Sequence, residues 1–333
     1  MEKLIKYKRF INSDGTTRHE VASKNMAISS TPAVNPLTPA KKWGAASLLL
    51  ITTFFWGVTF TIVKDAIDQV DVFVFLSQRF LAAFLILLPV CLFRKKHSSL
   101  RTFKQGSLLG LLLFGSYAFQ TLGLKFSTAS NTAFVTGLNV VLVPVIGAFL
   151  FHQPVPLNVR WGVALATAGL FLLCTNGSWT VNRGDLLTIL CAACVALHLI
   201  LTGEYTRISD VTFLTTIQLG VVALLSTFVA GFGSQPVFVW YPGIFWTLVI
   251  CVLFATVFAF VVQTSMQRYI PPSQTALIFC MEPVFAALYA YWAINERLGL
   301  YSLIGAILIL AGMILSEVSL TNRASGRAKR SDP

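Results

Sequence analysis

A glutamate and a proline stand side by side, Glu282-Pro283, in the stretch Thr275-Ala-Leu-Ile-Phe-Cys-Met-Glu-Pro-Val-Phe-Ala-Ala-Leu-Tyr-Ala-Tyr-Trp-Ala-Ile294, which is otherwise almost wholly apolar. A carboxylate in such surroundings can receive an ammonium group, carry a proton, or cap a polar group of a neighbouring element. Proline lacks a backbone N–H, so it bends or loosens a helix and leaves a carbonyl without its usual donor. Pro144 can do the same in another apolar run, which makes Pro283 and Pro144 the candidate hinges. Arg79, in Gln78-Arg79-Phe80, offers a planar fork that fits a carboxylate. Asn139, Gln120 and Gln263 offer neutral hydrogen bonds suited to zwitterionic or polar solutes. His198 is the second residue, after Glu282, that could pass a proton. Trp56, Tyr117, Tyr289 and Trp292 are candidate walls of a cavity.

Each of these residues also has a plainer use. Arg79 and Lys64 can extend along apolar surface towards polar surroundings, amides can tie helices together, and aromatics can face outwards. Cys191-Ala-Ala-Cys194 has metal or redox spacing. It lies in an apolar run without other ligand types beside it, so both cysteines read as small buried hydrophobes. No cofactor and no metal is expected.

The elements that must position these residues follow from composition. The 333 residues are 56% hydrophobic and only 11% charged, with a mean hydropathy of +0.74. Soluble domains carry about 25% charged residues. Ten apolar runs are legible at approximately 44–64, 72–93, 105–124, 130–151, 158–175, 184–203, 212–232, 243–263, 273–294 and 300–318. Each is close to the ~20 residues needed to cross a hydrocarbon core of roughly 30 Å. They do not alternate polar with apolar positions, which argues against barrel strands. The expected fold class is therefore all-α: a polytopic membrane protein of ten transmembrane helices.

The charge of +12 reports topology rather than nucleic acid. With both termini on the cytoplasmic side, twenty of the 25 Lys and Arg residues fall inside, and only Lys64, Lys125, Arg183 and Arg297 fall outside. Positive residues are retained on the cytoplasmic face, where they also meet anionic headgroups. The expected location is a bacterial inner membrane, with a small-molecule substrate and the bilayer as partners and a homodimer left open. Residues 1–42 are polar and rich in Ser, Thr and Pro, and read as a disordered cytoplasmic tail; Met26 offers a second start. Residues 320–333 read as a basic cytoplasmic tail.

The two halves of the chain repeat one another. At an offset of 143, Asn131-Thr-Ala133 meets Gln274-Thr-Ala276, Gln120-Thr121 meets Gln263-Thr264, Gly162 meets Gly305, and Ala168-Gly169 meets Ala311-Gly312. Asn139 falls on Glu282. Nearer the start the offset is 139, and Gln78-Arg79-Phe80 faces Ile217-Gln218-Leu219. A unit of five helices is odd, so its second copy enters from the opposite face, giving two inverted five-helix repeats over 43–176 and 184–319. A rise of 1.5 Å per residue puts Glu282 and Asn139 each ~13 Å deep, from opposite sides. A charge at that depth costs about 3 kcal/mol. The Gly162/Gly169 and Gly305/Gly312 pairs read as close helix packing.

These residues resemble the drug/metabolite transporter superfamily, and within it the EamA-type permeases. The resemblance is carried by Phe55-Trp56-Gly57 leading to Lys64, by Gln78-Arg79-Phe80, and by the run from Ala129 to Pro144. In the second half it rests on Glu282-Pro283-Val-Phe-Ala-Ala and on Asn295-Glu296-Arg297-Leu298. It covers about 44–318. The chain departs from the pattern at His152-Gln153-Pro154, where a Gly-Glu-Arg-like turn is usual, and at Val195, where a Trp is common. The resemblance implies ten helices, cytoplasmic termini and a central cavity between the repeats. It also implies secondary transport, by export or exchange, of small metabolites such as amino acids. A multidrug or toxic-compound efflux permease is the alternative.

Other classes fit less well. An intramembrane enzyme would need a nucleophile and base at one depth, and His198 has no evident partner. A channel would show pore-lining rings. No phosphate-binding Gly-x-x-x-x-Gly-Lys-Ser/Thr loop occurs, so the energy for transport must come from a gradient or from the solute.

Overall fold

The structure is a computed structural model and describes residues 10–11, 17–18, 39–93, 99–127, 129–152, 154–175, 182–233, 235–240, 242–293 and 299–328. The Asn295-Glu296-Arg297-Leu298 motif, the side chain of Lys64 and most of the tail 1–42 lie outside the described residues. In the N-terminal segment, β1 (Phe10–Ile11) pairs antiparallel with β2 (Thr17–Arg18), Phe10 opposite Arg18 and Ile11 opposite Thr17.

From Pro39 onward the described elements are helices, as apolar backbone in lipid requires, since only a helix satisfies all its polar groups within one segment. The first three are α1 (Pro39–Ile67), α2 (Val72–Phe93) and α3 (Leu100–Phe126). The run predicted at 130–151 is divided into α4 (Ala129–Gly137) and α5 (Asn139–Phe151). It is followed by α6 (Leu157–Thr175), α7 (Arg183–Tyr205) and α8 (Val211–Ala230). The run at 243–263 forms α9 (Pro242–Val252), a π-helical turn (Leu253–Phe258) and α10 (Ala259–Met266). The run at 273–294 is again divided, into α11 (Pro272–Phe279) and α12 (Glu282–Ala293). Finally, α13 (Leu300–Ala328) continues ten residues beyond its predicted end into the basic tail.

Polar caps fix several starts. The Ser99 hydroxyl accepts from the Thr102 N–H at 3.1 Å to open α3, and the Asp210 carboxylate accepts from the Phe213 N–H at 2.9 Å to open α8. Asn182 and Asp185 cap each other's backbone N–H at the start of α7, at 3.2 and 2.9 Å, which satisfies two otherwise unpaired donors.

Among the described residues, seven segments are long and apolar enough to cross a membrane: Val72–Phe93, Leu100–Phe126, Thr132–Leu150, Leu157–Thr175, Arg183–Tyr205, Val211–Ala230 and Gly243–Met266. They correspond to the second through the eighth predicted runs. Leu300–Ser316 is apolar but shorter.

The two halves meet through elements that the offset makes equivalent. α6 packs along α13, and α2 along α8. A Cβ on Gly162 would stand 2.7 Å from the Gly312 carbonyl, and one on Gly169 would stand 2.6 Å from that of Gly305. As the index rises along α6 it falls along α13, so the equivalent helices run antiparallel, as inverted copies must. The offset of 143 turns the first of these contacts into the second. The four glycines therefore pack between the repeats and not within each repeat's own core. α2 and α8 also run antiparallel: Ser77 meets Thr227 at 2.9 Å, and the Phe84 ring lies against Gly220.

Candidate functional site

Both divided runs break at residues that the repeat makes equivalent. The break in the first half falls at Leu138, whose N–H is shared between the Phe134 and Val135 carbonyls at 3.2 Å each. Asn139 begins α5, and its Nδ2 donates to the Thr136 carbonyl at 2.8 Å. A side-chain amide there competes with the helical ladder. The break in the second half falls at Cys280-Met281. The Met281 N–H turns back three residues to Ile278 at 3.0 Å, and Glu282 begins α12. Pro283 stands second in α12, where its missing N–H leaves no helical bond unmade. Pro144 lies inside α5, six residues after the break, and away from the cavity.

Asn139 and Glu282, each opening a half-helix, line the same cavity of about 380 Å³ between the two halves. Trp56, Arg79, Tyr117, Gln120, Gln263, His198 and Pro283 also line it. Tyr289 and Trp292 do not; Trp292 is exposed. Phe75, Phe260 and Phe279 complete an aromatic wall with Trp56 and Tyr117. Gly57 lets α1 approach closely, since a Cβ there would stand 2.6 Å from the Glu282 carbonyl oxygen.

The polar groups of the cavity divide by chemistry. Glu282 is partly exposed to it, and the positive end of the α12 dipole favours a carboxylate at that place. The Asn139 Oδ1 and Gln263 Oε1 atoms are buried and have no hydrogen-bond partner. Their amide nitrogens are occupied, that of Asn139 by the Thr136 carbonyl and that of Gln263 by Gln267 Oε1 at 3.2 Å. Buried acceptors are rarely left unpaired, so these oxygens are open to a donor. Gln120 Nε2 lies at the limit of hydrogen bonding, 3.5 Å from Thr136 Oγ1.

Arg79 is the opposite pole. It is 4% exposed and so does not extend towards headgroups. Its Nε donates to Thr256 Oγ1 at 2.7 Å and its Nη2 to the Ala255 carbonyl at 3.1 Å. The guanidinium carbon lies 5.5 Å from the centroid of the Phe80 ring and 5.3 Å from that of Tyr117, within reach of cation–π attraction. Among the described residues its hydrogen bonds go to neutral oxygens, and none goes to Glu282.

His198 Nε2 faces Gln218 Oε1 at 2.9 Å, and Gln218 Nε2 donates in turn to Thr264 at 3.2 Å. The imidazole is thus engaged through Nε2 by a neutral amide. Cys191 lines the cavity near Thr136, whereas Cys194 lies against Gly115, so the two thiols have different neighbours.

The lining residues come from one end of the bundle and its middle. They run from Trp56 to the last residue of α1, along the first residues of α2, and along the last part of α3. At the other end polar side chains bind neighbouring helices. Gln267 Nε2 donates to the Leu199 carbonyl at 3.0 Å, and Arg268 Nε donates to that of Thr206 at 2.7 Å. Asn158 and Gln274 both donate to the Ser316 carbonyl, at 2.9 and 3.1 Å.

The profile of the EamA-like transporter family matches residues 43–175 and 182–317, one copy in each half. The chain belongs to the EamA-like transporter family. It is a multi-pass integral membrane protein of the drug/metabolite transporter superfamily, built from two copies of that unit. A protein of Archaeoglobus fulgidus named an uncharacterized transporter is 33% identical over 271 residues, which cover 80% of this chain and 83% of that protein. The uncharacterized transporter YyaM of Bacillus subtilis is 26% identical over 81% of this chain and 92% of its own length. A solved crystal structure, 18% identical, superposes with a TM-score of 0.70 over 84% of this chain and 99% of that one, which is a likeness of fold.

Two features of the site have no signature in the sequence. The Ala255 carbonyl is backbone, and Thr256 is one hydroxyl in an apolar run. Their role comes from the π-helical turn, which no residue type announces.

Proposed function

We propose that this protein is a secondary transporter that exports or exchanges small zwitterionic metabolites, amino acids foremost, by alternating access. It lies in a bacterial inner membrane as ten spans in two inverted repeats, with both termini cytoplasmic. One observation carries the reading. Among the described residues, one cavity between the halves holds a guanidinium bonded to neutral oxygens at one place, and a carboxylate with two unpaired amide oxygens elsewhere. A zwitterion presents a carboxylate for the first and an ammonium for the second, and its apolar side chain meets Trp56, Phe260 and Phe279. Combined with the placement of basic residues, the end of the bundle that holds the cavity is the outer face, and the end bound by Gln267, Arg268 and Gln274 is the inner face.

Counterflow in proteoliposomes tests the substrate class. Liposomes loaded with an unlabelled amino acid should accumulate the same labelled amino acid. Exchange of cationic dyes without exchange of any amino acid would instead favour the multidrug alternative. A second measurement tests sidedness. In a cysteine-free background, Leu124→Cys should react with an impermeant maleimide added to the outer face of right-side-out vesicles, and Gln274→Cys should not. Labelling of Gln274→Cys alone would reverse the orientation.

A further inference from the structure

We propose that Thr256 is a positioning residue, which through the π-helical turn aims Arg79 so that the cavity selects solutes bearing a carboxylate. The inference rests on the reading of Arg79 given above and adds the device that makes its fork specific. In an α-helix the N–H of Ala259 would bond the Ala255 carbonyl. Here it reaches the Phe254 and Thr256 carbonyls instead, and passes over Ala255. The released carbonyl accepts from Trp56 Nε1 at 2.9 Å and from Arg79 Nη2 at 3.1 Å. Single π turns inside helices are found at functional sites for this kind of reason.

The hydroxyl of Thr256 has one proton, and it is used: Oγ1 donates to the Cys251 carbonyl at 2.8 Å. Oγ1 therefore faces Arg79 only as an acceptor, and takes Nε at 2.7 Å. One turn thus holds the Nε and Nη2 side of the guanidinium with two neutral oxygens. A carboxylate binds a guanidinium through two parallel N–H groups, and the Nη1/Nη2 edge is the one left for it. The neutral partners leave the positive charge intact for the solute. The repeat equivalent of Arg79 is Gln218, bonded to Thr264 and to His198, so among the described lining residues only the first half supplies a fixed cation. Arg79 is the cavity's anion-binding pole among the described residues, and Thr256 sets its direction.

Paired ligands test this on the full chain in nanodiscs. The probes are L-leucine with L-leucinamide and L-phenylalanine with L-phenylalaninamide, read as ligand-induced shifts in melting temperature there and as KM for exchange in proteoliposomes. The wild type should bind each carboxylate at least about tenfold more tightly than its amide. Thr256→Val should cut that preference about tenfold by raising KM for the carboxylates, leave the amides within twofold, and keep the maximal rate. Thr256→Ser should retain the wild-type preference. Thr256→Ala is run beside the valine variant, because it removes the hydroxyl without a second branched methyl. A preference that survives both variants overturns the role of Thr256 and leaves Arg79 standing. Equal loss for carboxylates and amides also overturns it, since that is the mark of general damage. A wild type that shows no carboxylate preference, or no shift with any pair, overturns the reading of Arg79 and this inference with it.

Discussion

Glu282→Gln is expected to lower amino-acid exchange about a hundredfold while the protein still folds and inserts. The substitution keeps shape and hydrogen-bonding capacity and removes only the charge. Removing one charge of a buried hydrogen-bonded charge pair costs about 2–5 kcal/mol, and about 3 kcal/mol corresponds to about two decades in affinity. Glu282 opens α12 within the cavity, and among the described residues Arg79 is bound elsewhere, so the carboxylate is available to a solute. Wild-type binding should weaken on acidification as this group takes up a proton, and Glu282→Gln should be flat across the same range. Exchange per inserted molecule in proteoliposomes is the measurement, and wild-type rates at every pH would remove Glu282 from the site. An imposed proton gradient that drives the wild type and not the variant would assign proton coupling to this carboxylate, rather than to His198.

Gly305→Val is expected to destabilise the protein by about 3 kcal/mol or more, and to prevent its isolation as a monodisperse species. A Cβ on Gly305 would stand 2.6 Å from both the Gly169 carbonyl and the Leu173 nitrogen. These obstacles are backbone, so no rotamer change removes them, and overpacking of this kind costs roughly 1–3 kcal/mol even where side chains can yield. Gly169→Val should behave alike, because its obstacle is the Gly305 carbonyl at the same 2.6 Å. Gly44→Val is the control, since nothing lies within 4 Å of a Cβ there. Thermal unfolding and size-exclusion chromatography in detergent separate these outcomes. Equal behaviour of Gly305→Val and Gly44→Val would show that α6 and α13 do not pack as described.

The sequence made the polar residues legible because charge and amides are rare in apolar runs. The same rarity made the equivalence of Asn139 with Glu282 visible. It also led to the expectation that Tyr289 and Trp292 line the cavity. They do not, because aromatic residues are common on all sides of such helices, and type alone does not report direction. The breaks at Leu138 and at Cys280-Met281 were not legible as breaks. Pro144 and Pro283 drew attention to bends, yet the chain turns before each proline, where backbone N–H groups shift from the fourth to the third preceding carbonyl. The π-helical turn at Leu253–Phe258 was hidden in an unbroken apolar stretch, since a one-residue widening of the ladder leaves hydropathy unchanged. With it was hidden the partner of Arg79, a carbonyl that every residue possesses and only this geometry releases.

The contact between α6 and α13 has a mechanical meaning. Exchanging the two halves converts the approach of Gly162 to Gly312 into that of Gly305 to Gly169, so the pair of contacts is its own image. In a carrier whose two states are related by that exchange, an element that is its own image is the same in both and need not be broken in between. Contacts without such an image, such as Arg268 on Thr206 at one end, must be traded for others at each passage. In such a carrier the glycine seam would be the bearing on which the halves turn, and the cycle's barrier would lie in the polar clasps at its ends.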